Sequence, residues 1–261
     1  MVIVGEHEKA GASARLGEAD ILRLKRWNTP TVYNGWEQSA KRDRLQGLWN
    51  RDETRDFMPQ MGPMCGRAIT LRIETIDRDK PPAIKGVWDE YYRYVASIPG
   101  PKIVVMEDLS RPVALGSLWG EVTANTHRAL GCVGAIVDGA IRDVDEMTNA
   151  GFKALARRLC VGHLFARPVA WNIDVRVFGV DISPGFLIHA DKHGFMAIHP
   201  DDEEGLPEAV AFMDALECET VIPAARFASG ESYATILARR KASSVEFGAK
   251  ALERFRRAGE H

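Results

Sequence analysis

Residues 102–146 read KIVVMEDLSRPVALGSLWGEVTANTHRALGCVGAIVDGAIRDVDE, and this stretch decides the fold class. Lys102–Met106 is a short apolar run, the pattern of a buried strand. Gly120–Leu130 has helical spacing, and Gly131 supplies its stop. Cys132–Val137 is a second short apolar run. Strand, helix, strand in this order is the unit that builds parallel sheets, because parallel neighbours need a long crossover between them. The unit also says where chemistry belongs. The chain leaves the first strand at its carboxyl edge, enters the helix, and returns to that edge after the second strand. Glu121 in the first helical turn and Arg142-Asp143 past the second strand are therefore expected to meet there, at the usual ligand site of an α/β sheet.

The groups gathered at that edge are Glu121, Arg142, Asp143, Asp145 and Glu146, with the backbone amides of Val122 and Thr123. A helix N-terminus offers free N–H groups and a positive dipole end, which suit a carboxylate or phosphate. A guanidinium grips a carboxylate with two parallel hydrogen bonds. Carboxylate oxygens suit a hard cation such as Mg²⁺ or Mn²⁺ that keeps several of its waters. Such a cation beside a 2-keto acid is a Lewis acid for the keto oxygen, and a second carboxylate holding water can move protons. The same residues also fit a charged loop with a capping glutamate at the helix start. Pattern alone leaves these two readings level.

Working outward, residues 17–27 are expected to form a first helix ended by Asn28-Thr29-Pro30, with a second short helix around Tyr33–Ala40. Residues 50–57 read as a charged loop, 65–74 as a strand, and 85–97 as a helix stopped by Pro99-Gly100. Residues 169–180 and 185–198 read as strands, the latter with a hairpin tip at Asp191-Lys192-His193-Gly194. Pro207 opens a helix to about Glu217, residues 223–230 read as a linker, and 231–258 as a long basic helix. The expected organisation is a flexible segment 1–16, a domain over 17–222, and a linker with a helical extension over 223–261.

Composition bounds the class. The chain has 261 residues, and 34 Lys+Arg against 36 Asp+Glu leave a net charge of −2. With 46% hydrophobic and 27% charged residues, it has the mix of a soluble globular protein. The charge balance argues against a general nucleic-acid binder. No apolar stretch reaches membrane-spanning length, and the MVIV start is too short for a secretory signal. Four scattered cysteines (Cys65, Cys132, Cys160, Cys218) without a CxxC pair point to reduced thiols in a cytoplasmic protein. There is no GxGxxG or P-loop signature, and Ser117 and Ser183 have no convincing His partner.

Gly116–Glu146 resembles the RraA-like family, which includes 4-hydroxy-4-methyl-2-oxoglutarate/4-carboxy-4-hydroxy-2-oxoadipate aldolases and regulators of ribonuclease E. The aldolase branch has an acidic residue, twenty intervening positions, Arg-Asp, two more positions and an acid, matched here by Glu121, Arg142-Asp143 and Glu146. The family's DGxxRD turn is intact as Asp138–Asp143, and weaker matches lie at 28–36, 65–70, 164–169 and 183–194. The resemblance implies an α/β/β sandwich, similar to swivelling phosphohistidine domains, with an added C-terminal helix. It implies a class II pyruvate aldolase that cleaves a 4-hydroxy-2-keto acid and can also decarboxylate oxaloacetate.

In that reading Asp143, with Glu146, holds Mg²⁺ or Mn²⁺ largely through water. Arg142 and the Gly120–Thr123 backbone bind the pyruvyl carboxylate, and Glu121 positions the proton-carrying water. Assembly as a homotrimer or homohexamer is implied, with an acid of a neighbouring subunit, Glu217 or Glu219, completing the site. Two rivals remain. One is a non-catalytic regulator that binds a ribonuclease; it does not need the Arg-Asp pair. The other is a lyase or hydrolase of different specificity on the same metal site.

Other residues have plainer readings. His189, His193 and His199 fall on a predicted hairpin, and surface or structural roles outweigh a zinc site. Trp119 fits pocket lining and packing equally, whereas Tyr91 and Tyr94 fit core or interface. Between Arg239 and Arg257 seven residues are basic and two acidic. This helix is expected to be solvated, with Val245, Ala249, Leu252 and Phe255 docking on another subunit rather than on RNA.

Overall fold

The computed structural model describes residues 3–5, 15–75, 86–110, 116–163 and 165–256. The chain order is β1 (Ile3–Val4), α1 (Glu18–Leu24), α2 (Thr29–Ser39), β2 (Leu48–Trp49), β3 (Arg55–Asp56), β4 (Met64–Thr75), α3 (Val87–Ser97) and β5 (Lys102–Asp108). Then come α4 (Glu121–Ala129), β6 (Cys132–Ile141), α5 (Val144–Asn149), β7 (Lys153–Leu159), β8 (Ala166–Trp171), β9 (Val175–Val177) and β10 (Val180–Ile182). The chain ends with β11 (Leu187–Asp191), β12 (Gly194–Ile198), α6 (Leu206–Glu219), α7 (Val221–Arg226) and α8 (Tyr233–Phe255).

The main sheet runs β2-β12-β11-β4-β5-β6-β7-β3, with β8 paired to β4 and β1 to β8. Its centre, β4-β5-β6-β7, is parallel, as the 102–137 unit requires. Period-2 alternation divides these strands between two cores. Val104, Met106, Val137, Ala154 and Ala156 pack with Tyr91, Val95, Ala124 and Met147 of the helices α3, α4 and α5. Ile103, Val105, Ile136 and Leu155 pack on the other face with Val175, Val177, Val180 and Ile182 of the β9-β10 ribbon. Helices on one side and a ribbon on the other give the expected α/β/β layering. A third core joins α1, α2 and α6 over β11 and β12 through Leu24, Val32, Trp36, Leu187, Ile198 and Val210.

Several local expectations need correction. Asn28-Thr29-Pro30 opens α2 rather than only closing α1: Asn28 Oδ1 accepts the Thr31 N–H at 2.9 Å, and Pro30 sits in the first turn, where no N–H is needed. The charged loop 50–57 contains β3, whose Asp56 accepts from Lys153 Nζ at 2.6 Å, with both side chains buried. Within segment 1–16, Ile3 and Val4 form a strand on β8, and the Leu16 N–H donates to Glu203 Oε2 at 2.9 Å; residues 1–2 and 6–14 lie outside the described residues. Leu164, part of the 164–169 match, also lies outside them. The linker 223–230 begins inside α7.

The long helix α8 is capped by Ser232, whose Oγ accepts the Thr235 N–H at 3.3 Å. Its inner stripe is Phe247, Ala251 and Phe255 against Met213, Leu216 and Phe212 of α6. Of the apolar positions expected to leave the subunit, Phe255 turns inward, while Val245, Ala249 and Leu252 remain exposed. The reason is angular: at about 100° per residue, 247, 251 and 255 share one face and 245 and 252 fall on another. No helix among the described residues is long and apolar enough to cross a membrane.

Candidate active site

The carboxyl edge assembles as the crossover predicts. An extended segment, Ser117–Gly120, runs alongside the end of β6 before α4 begins. Trp119 bridges Ile141 in parallel, and the Arg142 N–H donates to Trp119 O at 3.1 Å. Ser117 Oγ is placed to bond Trp119 O at 2.6 Å and Ala140 O at 2.9 Å, and the Ser117 N–H donates to Gly162 O at 3.1 Å. Ser117 is thus a clamp on the backbone, not a nucleophile. No periodicity signals such a role, because it depends on two carbonyls from different segments.

Below the edge Trp119 is fully buried. Its ring stacks on Phe152 at 5.1 Å and lies 4.7 Å from His127, and its Nε1–H points at Met106 Sδ at 3.2 Å. Packing, not pocket lining, is its role. His127 lies 2.8 Å from Thr123 O through Nδ1 and 3.1 Å from the Tyr91 hydroxyl through Nε2. Burial pushes its pKa down to about 4, against a weaker upward pull from the Thr123 carbonyl. It is a neutral fixture in the last turn of α4, tied back to the first turn through Thr123 O.

Above this base the predicted residues converge. Asp143 adopts a left-handed backbone (φ 56°), a conformation aspartate tolerates better than most residues. This turns its carboxylate back toward α4: Oδ2 accepts the Glu121 N–H at 3.1 Å and lies 3.5 Å from Arg142 Nε. Gly120 makes room, because a Cβ there would stand 2.5 Å from Asp143 Oδ2 and 3.3 Å from Arg142 Nε. The Ala124 N–H bonds Gly120 O, but the amides of Val122 and Thr123 find no partner among the described residues, as expected in a first helical turn. The Arg142 and Asp143 side chains are each about one-third exposed to solvent.

Two features differ from the predicted metal set. Glu146 is exposed on α5, and its side chain makes no hydrogen bond or ion pair to the site among the described residues. No group of three His, Cys, Asp or Glu side chains suited to a metal occurs among those residues either. The donor set is therefore one carboxylate: Asp143 Oδ2 is engaged, and Oδ1 takes no hydrogen bond from the described residues. That fits a hard cation of the Mg²⁺ type, which keeps most of its waters, and not a closed protein cage.

Within its own subunit Glu217 receives Asn34 Nδ2 at 2.7 Å, and Glu219 is exposed at the end of α6. Cys160 flanks the site, its N–H on Ile141 O at 3.0 Å. Burial raises its thiol pKa, opposed by Arg158 and Arg142 and assisted by Asp143. Asp138 of the DGxxRD turn is buried, bonded to Arg157 and to the Phe178 N–H, and so ties β6 to the ribbon loop instead of facing ligand. The three histidines do not converge on a metal: His189 is buried between Thr29 Oγ1 and Leu24 O, while His193 pairs with Asp191 and His199 with Asp201.

A separate cleft of about 660 Å³ opens at the other end of β5, lined by Arg15, Arg67, Pro99–Pro101, Phe186 and His199 among others. Its buried cation, Arg67, is already neutralised by the fully buried Glu203. The chemistry-bearing convergence is at the carboxyl edge.

The RraA-like family model (Aldolase/RraA) matches residues 29–197. The chain belongs to the RraA-like family. It is 26% identical over 148 residues to an uncharacterized protein of Methanocaldococcus jannaschii, covering 56% of this chain and 64% of that relative's length. It is 26% identical over 167 residues to a Halalkalibacterium halodurans protein named "Putative 4-hydroxy-4-methyl-2-oxoglutarate aldolase", covering 63% and 73% of the two chains. Among solved structures, an uncharacterized protein from Pseudomonas syringae pv. tomato superposes with a TM-score of 0.66 at 16% identity, covering 91% of this chain and 100% of that one. Streptomyces coelicolor RraAS2, described as an unusual member of the RNase ES inhibitor RraA protein family, gives 0.54 at 20% identity, covering 78% and 95%. At these identities the structural likeness speaks for the RraA-like fold alone.

Proposed function

We propose that this RraA-like protein is a divalent-metal-dependent carbon–carbon lyase that cleaves a 4-hydroxy-2-keto acid to pyruvate and a second carbonyl compound. The observation that carries the reading is the convergence of three elements on one edge: the Asp143 carboxylate, the Arg142 guanidinium, and the amides of Val122 and Thr123, which have no partner among the described residues. The aldolase-named relative supports the reaction class.

The residues divide the work as follows. Arg142 and the two amides would hold the pyruvyl carboxylate and fix the keto group over the site. Asp143 would hold Mg²⁺ or Mn²⁺ largely through water, with Glu146 at most an outer partner. The bound cation would supply Lewis acidity to the keto oxygen as enolate charge develops. Glu121 would position a water that takes the proton of the 4-hydroxyl as the C3–C4 bond breaks and returns one to C3, so the reaction is proton-neutral. Oxaloacetate decarboxylation would use the same enolate. Sites shared between subunits of a trimer or hexamer, with Glu217 or Glu219 of a neighbour, belong to the same proposal.

The intact Arg142-Asp143 pair favours the lyase over a non-catalytic ribonuclease-binding regulator. The deciding experiment is pyruvate release from oxaloacetate and from a 4-hydroxy-2-keto acid with Mg²⁺ or Mn²⁺, repeated with chelator and with Asp143→Asn. The proposal expects turnover that both treatments abolish. Pyruvate release surviving both, or no turnover on any keto acid together with tight ribonuclease binding, rejects it.

A further inference from the structure

The cleft of about 660 Å³ at the amino end of β5 takes no part in the proposed cleavage, and its walls are fixed by the fold. One wall is the turn Ser183-Pro184-Gly185-Phe186, with proline and a positive-φ glycine (79°) at its centre, the type II pattern. Strand β4 pins this turn: the Gly185 N–H donates to Ala68 O at 2.9 Å, and the Ala68 N–H to Phe186 O at 2.8 Å. A second wall is the end of α3 with Pro99–Pro101. The buried Lys102 holds it, donating from Nζ to Val95 O at 3.0 Å and to Ile98 O at 2.6 Å. Ile21 and Ile69, both buried, add apolar surface. A preformed, largely apolar cavity of this size suits a small organic molecule.

Most polar groups of the cleft are already engaged. Arg67 is spent on Glu203, and the Tyr94 hydroxyl donates to Asn172 Oδ1 at 3.3 Å. Asn172 Nδ2 donates to Gly5 O, and His199 Nδ1 accepts the Asp201 N–H at 3.2 Å. Two donors remain. Neither the Arg15 guanidinium nor the Ser183 hydroxyl has a hydrogen-bond or ion-pair partner among the described residues. They lie on the same turn: Arg15 Nη1 and Nη2 are 3.3 and 3.8 Å from where a Cβ on Gly185 would stand. Glu18 also lines the cleft, yet it forms no ion pair with Arg15.

We propose that this cleft binds a small organic monocarboxylate with an aromatic or branched apolar body. Its carboxylate would sit on Arg15 and the Ser183 hydroxyl, and its body against Phe186, Ile98 and Pro99. A guanidinium grips a carboxylate with two parallel hydrogen bonds, and the hydroxyl adds a third. One free cation with Glu18 nearby suits a single negative charge and opposes a phosphate dianion. The seven residues of β5 set the cleft about 20 Å from the carboxyl edge, at about 3.3 Å per residue. The occupant is therefore a second small molecule, not the keto acid held at Arg142.

The test titrates the full chain with 3-phenylpropanoate by calorimetry and saturation-transfer NMR. A panel of monocarboxylates with aromatic or branched aliphatic bodies follows. Arg15→Gln, at an exposed side chain, is expected to weaken binding about tenfold or more, and Ser183→Ala about threefold. 3-Phenylpropanamide lacks the charge and acetate lacks the body; each should bind weaker by about tenfold or more. Arg142→Gln should leave binding unchanged, which separates this cleft from the carboxyl edge. Circular dichroism checks that each variant is folded. No panel member binding below about 10 mM would overturn the proposal. So would tighter binding of phenyl phosphate, binding unaffected by Arg15→Gln, or binding lost with Arg142→Gln. The readout is binding and not turnover, so it stands or falls separately from the lyase reading.

Discussion

Gly120→Ala tests whether the placement of the Asp143 carboxylate matters. A Cβ at position 120 would stand 2.5 Å from Asp143 Oδ2, whereas an ordinary contact begins near 3.4 Å. The backbone there is extended (φ −163°), so the substitution acts by contact and not by torsional strain. The carboxylate must withdraw by about 0.9 Å, a displacement read directly from that contact. A shift of that size away from the helix would lengthen and weaken the 3.1 Å bond from the Glu121 N–H to Oδ2. Losing a hydrogen bond to a charged group costs about 1.5–3 kcal/mol. For a chain of this size, that corresponds to a Tm lower by roughly 3–12 °C. Misplacing a reacting constellation by about 1 Å costs on the order of 100-fold in rate.

The assay is metal-dependent pyruvate release coupled to a dehydrogenase, with Mn²⁺ affinity measured in parallel. The expected result is kcat/KM lower by about 100-fold with the fold retained. Gly248→Ala is the control: its Cβ would meet nothing within 4 Å, so activity should hold. Replacing a helical glycine should also raise stability by about 0.5–1 kcal/mol. If Gly120→Ala keeps kcat/KM within about twofold of the parent, the position of Asp143 does not govern the reaction and the reasoning fails.

Other consequences can be checked by unfolding measurements. Glu203→Ala strands the buried Arg67 guanidinium and the Leu16 N–H, so a loss of about 3–5 kcal/mol in denaturant unfolding is expected; a loss under 1 kcal/mol contradicts the pairing. His127 and His189 have pKa values pushed down by burial to about 4. The unfolded chain takes up protons below about pH 6.5 that these folded histidines refuse until about pH 4, so stability falls as pH drops through that window. In His189→Gln the slope there should be shallower by up to about 1.4 kcal/mol per pH unit, and an unchanged slope would show that His189 titrates normally. Asn28→Ala removes the cap on Thr31 and should cost about 1 kcal/mol, measured as a shifted urea midpoint at constant m-value.

The parallel unit and its site were legible in the sequence because both depend on local order along the chain. Apolar runs at 102–106 and 132–137, with a helix between them and Gly131 at its stop, leave one arrangement, and that arrangement brings Glu121 and Asp143 to one edge. Other elements were hidden for stated reasons. The strand β7 carries Lys153, Arg157 and Arg158, so no apolar alternation announces it; Lys153 is buried only because Asp56, distant in sequence, meets it. Asn28-Thr29-Pro30 can end one helix or begin the next, and the Asn28–Thr31 bond decides.

Sequence by itself thus determined the α/β class, the crossover, and the meeting of Glu121, Arg142 and Asp143 at one edge. Tertiary structure alone decided the left-handed turn at Asp143, the clearance at Gly120, the Ser117 clamp, the exclusion of Glu146 from contact with the site, and the inward turn of Phe255. The division has a physical cause. Periodicity and capping act over a few residues and leave their mark in the local sequence. A carboxylate's direction or a side chain's burial is fixed by atoms brought close from distant parts of the chain, and no short window of residues contains both partners.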